Sequence, residues 1–285
     1  ERLVRAAIAA RKPYVSICDD ADATAAALSL DDQARAAGIR VLTGMGWTPG
    51  LSNMLALRAY KQMDSVDAVR IAWAGASGPS PGPAVVFHTM HIFSGQIITY
   101  AGGRHQRIPA GSEPERVRFP APLGELPVCH VGHPEPLTLP QHLPGVKVVS
   151  LKGGVVEPLL HGLAAWTGRF GLTRTHGLRA FLSTFLRPLI PILCRVGSRG
   201  NWAGLVVRVE GQENGRPKVI ESAALASMDA LTSVPLAIGA LMLARDEIRR
   251  TGVFPPEAAG GPNEDAFLAE LAARGVQVTH SVETA

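Results

Sequence analysis

The sequence predicts an α/β protein in which the C-terminal part of a Rossmann domain is joined to a mixed α+β substrate and dimerisation domain. Three observations carry that prediction. Strand, helix and strand follow one another with short connections between Tyr14 and Thr43, the pattern of a βαβ unit. After Val66 the composition shifts to short apolar segments set off by glycine and proline, the style of antiparallel sheet. The 285 residues are 46% hydrophobic and 18% charged, with a mean hydropathy of +0.14, enough to bury a core. The longest apolar runs, such as Val234 to Ala244, fall short of the ~20 residues a membrane span needs.

Taken in order, Glu1 to Arg11 reads as the end of an amphipathic helix stopped by Pro13, and Tyr14 to Cys18 as a buried strand. Asp19, Asp20 and Asp22 sit at its end. Thr24 to Ala37 is an alanine-rich helix with early aspartates and Gly38 just past its end, and Ile39 to Thr43 is the next strand. The run GMGWTPG (Gly44 to Gly50) then opens a helix from Leu51 to Met63, so that glycine backbone and free helical N–H groups lie at a strand end. Val66 to Ala74 is a strand, followed by a loop to Pro83 and a short segment bearing His88 and His91. Gln96 to Tyr100 and Arg104 to Ile108 form a hairpin across Gly102 and Gly103. Leu126 to Val131 and Val146 to Leu151 are strands around a loop, GHPEPLTLP (Gly132 to Pro140). Pro158 to Val196 is largely helical, Trp202 to Gly211 and Pro217 to Leu225 pair across Asn214-Gly215, and helices cover Leu231 to Arg250 and Glu264 to Arg274.

Charge and cysteine usage narrow the function classes. The net charge of +4 is too mild to argue for nucleic acid. It is also uneven: between Glu157 and Glu210 seven arginines meet no acidic residue, which leaves the rest of the chain at −3. Cys18, Cys129 and Cys194 are odd in number and far apart, so a reducing cytoplasm is expected. The chain starts at Glu1, its first methionine is Met45, and it is expected to lack an N-terminal part.

Four segments carry a family resemblance: YVSICDD (Tyr14 to Asp20), AAGIRVLTGMGWTPGLSNMLA (Ala36 to Ala56), GHPEPLTLP, and TSVPLAIGALML (Thr232 to Leu243) with GVFPPE (Gly252 to Glu257). Together they resemble the saccharopine dehydrogenase-like family of nicotinamide-dependent oxidoreductases. The resemblance implies hydride transfer between NAD or NADP and an amino acid, imine or related small substrate, in a homodimer. It implies that residues 1–46 end a cofactor domain whose GxGxxG fingerprint precedes Glu1, that 47–230 form the substrate and subunit-contact domain, and that 231–285 return toward the cofactor domain. The loop from Gly44 to Asn53 would then lie at the nicotinamide end of the cleft.

The candidate site residues follow. Cys18, Asp19, Gly46, Trp47, Thr48, Pro49 and Gly50 are expected on the cofactor side, with Trp47 as a stacking surface. Asn53, a side-chain amide on the same turn, and His133 are the catalytic candidates, His133 being the preferred acid/base group because an imidazole titrates near neutrality. Arg199, nearest a glycine-rich bend, could clamp a substrate carboxylate. The pairs His88 with His91 and His130 with His133 lack a convergent third ligand by spacing, and no metal is expected. Where relatives acting on saccharopine carry acids, this sequence has Ser16, Thr48, Ser52 and Asn53, which argues against saccharopine itself. Two rivals remain: a binding or scaffold protein on the same fold without catalysis, and a membrane-peripheral protein using LRAFLSTFLRPLIPIL (Leu178 to Leu193).

Overall fold

A computed structural model describes residues 1–76, 82–169, 175–186 and 200–284. The chain begins with α1 (Arg2–Ala10), β1 (Tyr14–Val15), α2 (Ala21–Leu28), α3 (Asp31–Ala36) and β2 (Arg40–Leu42). Next come α4 (Leu51–Tyr60), β3 (Ser65–Gly75), α5 (Pro83–Ile92), β4 (Gln96–Ala101), β5 (Arg104–Pro109), β6 (Glu115–Phe119) and β7 (Gly124–His130). They are followed by α6 (Glu135–His142), β8 (Val148–Val155), α7 (Pro158–Arg169), α8 (His176–Leu186), β9 (Ala203–Glu213) and β10 (Arg216–Ala226). The last elements are α9 (Met228–Ala244), β11 (Gly252–Phe254), α10 (Glu264–Ala273) and β12 (Val278–Thr284).

Among the described residues these strands form two sheets in a mixed α/β fold. A small parallel sheet has the order β1-β2-β11, so a C-terminal strand completes the sheet that the N-terminal βαβ unit starts. The larger sheet has the order β12-β10-β9-β3-β8-β4-β5, with β7 bridging β8 to β6. Its centre is mixed, β3 running parallel to β8 and antiparallel to β9. The β9–β10 hairpin turns at Asn214 and Gly215, both at positive φ, as the Asn-Gly pair predicts.

One apolar core joins the two sheets. Leu42, Met45 and Phe254 from the small sheet and its exit loop pack in the same cluster as Leu55, Val69, Leu151 and Leu205 of the large sheet and its helices. Helix α9 closes that cluster with Leu231, Pro235, Ile238 and Met242, a spacing that keeps one face inward. Gly239 lets α9 lie against the Met45 loop: a Cβ there would stand 2.7 Å from Met45 Cγ.

Tertiary contacts reshape several predicted elements. The helix expected over Thr24 to Ala37 divides into α2 and α3, because Leu30 turns into the core and Asp31 accepts the Val253 N–H of β11 at 2.8 Å. The first strand ends at Val15, although the Ser16 backbone still bonds Leu42 and Met45. The short segment bearing His88 and His91 is helix α5, held by Val86 and Met90 against Leu160 and Leu182. GHPEPLTLP is not a loop but the start of α6; Pro136 falls in its first turn, where no N–H is needed, and Leu139 is fully buried. Helix α9 stops at Ala244, where Asp246 adopts positive φ and turns the chain toward β11. Arg208 lies in β9, within the strand expected from Trp202 to Gly211, and bonds Glu210.

Candidate active site

The carboxyl ends of β1 and β2 open onto a cavity of about 460 Å³. Four surfaces meet there: the strand-end segments bearing Ile17, Asp19 and Gly46 to Thr48; the end of β3 with Trp73 and Gly75; α5 with Val86, His88 and Thr89; and the start of α9 with Met228 and Thr232. Leu160 and Leu163 of α7 cover one side. Indole and aliphatic groups dominate the wall, and Trp47 and Trp73 meet edge to face at 5.5 Å.

The GMGWTPG loop owes its shape to its glycines. Gly46 N–H donates to the Pro49 carbonyl and the Gly46 carbonyl accepts from Leu51 N–H, so the loop folds back on itself before α4 begins. Gly50 has φ +127, and a Cβ there would fall 2.2 Å from the Gly46 oxygen. Only glycine fits that crossing. The Thr48-Pro49 peptide bond is cis.

Below this loop lies a buried polar cluster that holds it. Asn53 accepts the Gly50 N–H at 2.9 Å and donates to Glu257 at 2.8 Å, while Ser52 donates to Glu135 at 2.8 Å. All four side chains are almost wholly buried. Burial pushes the Glu135 carboxyl up to about 8 against the hydrogen bond from Ser52, with Glu257 adding like-charge repulsion. Burial likewise raises Glu257 to about 7 against the pull of Thr138 and Asn53.

Three ionisable residues on the cavity wall form the polar end. His88 Nε2 stands 2.9 Å from the Asp19 carboxylate. Burial opposes the charge of each, but the pairing prevails, holding Asp19 below and His88 above the usual range. His133 is 3% exposed, and burial lowers its pKa to about 4, with Asp19 and the Thr48 backbone pulling the other way. Neither of its ring nitrogens has a hydrogen-bond partner among the described residues; Glu135 Oε2 lies 3.8 Å from Nδ1, and the Trp73 ring packs at 5.8 Å. Behind the cavity Asp20 caps α2 through Ala23 N–H and bonds His91 Nε2 at 2.7 Å. That bond, against a smaller burial effect, lowers Asp20 to about 2, and Arg179 of α8 contacts the other side of the same imidazole.

The sequence-derived candidates therefore separate into groups. Asp19, Gly46, Trp47, Thr48 and His133 line the cavity. Cys18, Pro49, Gly50 and Asn53 stand outside its wall, Asn53 with its amide committed to Gly50 and Glu257. Arg199 lies outside the described residues. The near-neutral imidazole expected at His133 is corrected by its burial; the histidine raised by its surroundings is His88. The expected loss of ionisable groups at Ser16, Thr48, Ser52 and Asn53 is offset from elsewhere, by Glu135 and Glu257 beneath the loop and by the Asp19–His88 pair on the wall. Glu257 stood within the GVFPPE segment and Glu135 within GHPEP, but only the fold brings them to one helix start.

No protein-family model matches the chain. Among solved structures it is similar to apo saccharopine dehydrogenase (L-Glu forming) from Saccharomyces cerevisiae, with a TM-score of 0.64 at 12% identity, over 99% of this chain and 82% of that one. Weaker likenesses are to an oxidoreductase from Pseudomonas syringae, TM-score 0.31 at 10% identity over 98% and 75% of the two chains, and to a dehydrogenase from Clostridium difficile, TM-score 0.24 at 7% identity over 86% and 64%. The chain has the fold of saccharopine dehydrogenase.

Proposed function

We propose that this protein is an NAD(P)-dependent oxidoreductase that transfers hydride to or from a carbonyl or imine carbon of a small substrate held in the cavity. The observation that carries this reading is the position of that cavity: it lies beyond the carboxyl ends of parallel strands β1 and β2, where open α/β folds bind ligands, and it has a paired acid and histidine on its wall.

The residues present fit the nicotinamide end of such a cofactor. Asp19, Gly46, Trp47 and Thr48 converge at the strand ends on one cavity wall, and Gly46 keeps the backbone there free of a side chain. The sequence carries no GxGxxG run, so the pyrophosphate is not assigned to any of its segments. When bound, the cofactor supplies or accepts the hydride. The protein's share is orientation and the proton. His133, neutral at pH 7, can donate one hydrogen bond to the substrate's oxygen or nitrogen and polarise the bond. His88, whose pKa, against burial, is held above its usual value by Asp19, can in its protonated form deliver the proton that balances hydride addition, yielding the alcohol or amine, and takes it back in oxidation. Glu135, Ser52, Asn53 and Glu257 hold the loop and do not reach the substrate. The same reading includes the homodimer expected from the sequence, which light scattering tests.

The experiment is titration of the full-length protein with NADH and NADPH, followed by energy transfer from tryptophan to the reduced nicotinamide. Saturable binding of one of the two is expected. Failure of both to bind at millimolar concentration overturns the reading and leaves a binding or scaffold protein on an oxidoreductase fold.

A further inference from the structure

We infer that the substrate of this cavity is an uncharged, largely apolar molecule with a single polar group, and not a di- or polycarboxylate; the inference rests on the function proposed above and names its substrate class. The argument begins with charge. None of the described residues lining the cavity is a lysine or arginine, and its carboxylates are Asp19, already paired with His88, and Asp229 at the exposed start of α9. Among the described residues, a substrate carboxylate placed there would find as its one cationic candidate His88, already paired with Asp19, and would face these acids, which disfavours it. Arg179 of α8 does not line the cavity and contacts His91.

The wall also says what would be welcome. Trp47, Trp73, Val86, Met90, Ile92 and Leu160 offer indole, branched and thioether surface to an aliphatic or aryl body. Among the described residues, the ring nitrogens of His133 and the indole N–H groups of Trp47 and Trp73 are buried without a hydrogen-bond partner, and His133 shares one end of the wall with the Asp19–His88 pair. Such a site can donate hydrogen bonds to one polar group of a ligand and leave the remainder in apolar contact. A volume of about 460 Å³ is that of an ordinary small-molecule site.

Tryptophan emission supplies a readout that needs no cofactor, because two of the four tryptophans line the cavity. The protein is titrated with 2-decanone, with 2-oxoglutarate as a dianionic keto acid and with decylamine as a cationic counterpart of equal length. Saturable perturbation by 2-decanone, at least tenfold tighter than by either charged probe, is expected. Thr89→Phe and, separately, Ala84→Phe insert bulk into the lining from α5 and should each weaken 2-decanone binding tenfold or more; thermal melts identify which variant is folded, and the folded one decides. Equal or tighter binding of 2-oxoglutarate or decylamine, or a folded cavity-filling variant that binds 2-decanone as the parent does, overturns the inference. The two readings fail separately. If 2-decanone binds but neither NADH nor NADPH does, the substrate class stands and the redox assignment falls; if a nicotinamide binds but only the charged probes occupy the cavity, the reverse holds.

Discussion

Glu135→Gln tests the buried cluster by its proton linkage. The parent carboxyl has no exposed surface, accepts from Ser52 at 2.8 Å, and is raised by burial from 4.5 to about 8. A raised folded pKa means that the folded state holds its proton longer than the unfolded chain does. The associated stability is fully present below pH 4.5 and is lost as pH rises toward 8. One such group costs at most about 1.4 kcal/mol for each pH unit inside that window, so between pH 5 and pH 7 Glu135 accounts for up to about 3 kcal/mol of decline. Glutamine keeps the acceptor for Ser52 and cannot ionise. Urea unfolding at pH 5, 6, 7 and 8 should therefore show the variant losing less stability than the parent, with the gap widening to pH 8 and an unchanged m-value. A variant whose midpoints run parallel to the parent's across that range would refute the claim that Glu135 is folded in as a neutral acid.

The other predictions are independent of that result. Asp19→Asn removes the partner that holds His88 above its usual range while burial remains, so the His88 pKa should fall, as followed by proton NMR; an unchanged titration would mean the 2.9 Å pair is not formed in solution. Gly50→Ala forces a Cβ onto the Gly46 backbone at positive φ and should cost roughly 2–4 kcal/mol in chemical unfolding. Asn53→Ala leaves Gly50 N–H and Glu257 without their shared partner, a loss of roughly 2–4 kcal/mol; a change below half a kcal/mol would show that water replaces it freely.

Much of the fold was legible because local signals and tertiary demands coincide. The Asn214-Gly215 turn, the glycine-rich tip of β4–β5 and the apolar spacing of α9 each specify their own element. Legibility failed where distant contacts decide. Packing of Val86 and Met90 against Leu160 and Leu182 fixes helix α5, and prolines in GHPEPLTLP hide α6 because Pro134 and Pro136 occupy positions that need no donor and Pro140 lies near its end. The short strands β6, β11 and β12 carry little periodicity and are defined by the partners they meet. At the candidate site, the GMGWTPG loop announced itself through composition. The pairing of Asp19 with His88 spans 69 positions and that of Asn53 with Glu257 spans 204, so neither leaves a local spacing to read.

Isotope transfer puts the central claim to its most direct test. The protein is incubated with NADH or NADPH deuterated at nicotinamide C4 and an uncharged ketone such as 2-decanone, and the product is examined by mass spectrometry. One deuterium at the former carbonyl carbon of the alcohol is the predicted result, with formation reduced at least a hundredfold in His88→Gln. Binding of both molecules with no deuterium in any product would contradict the account and make the cavity a binding site on an oxidoreductase fold.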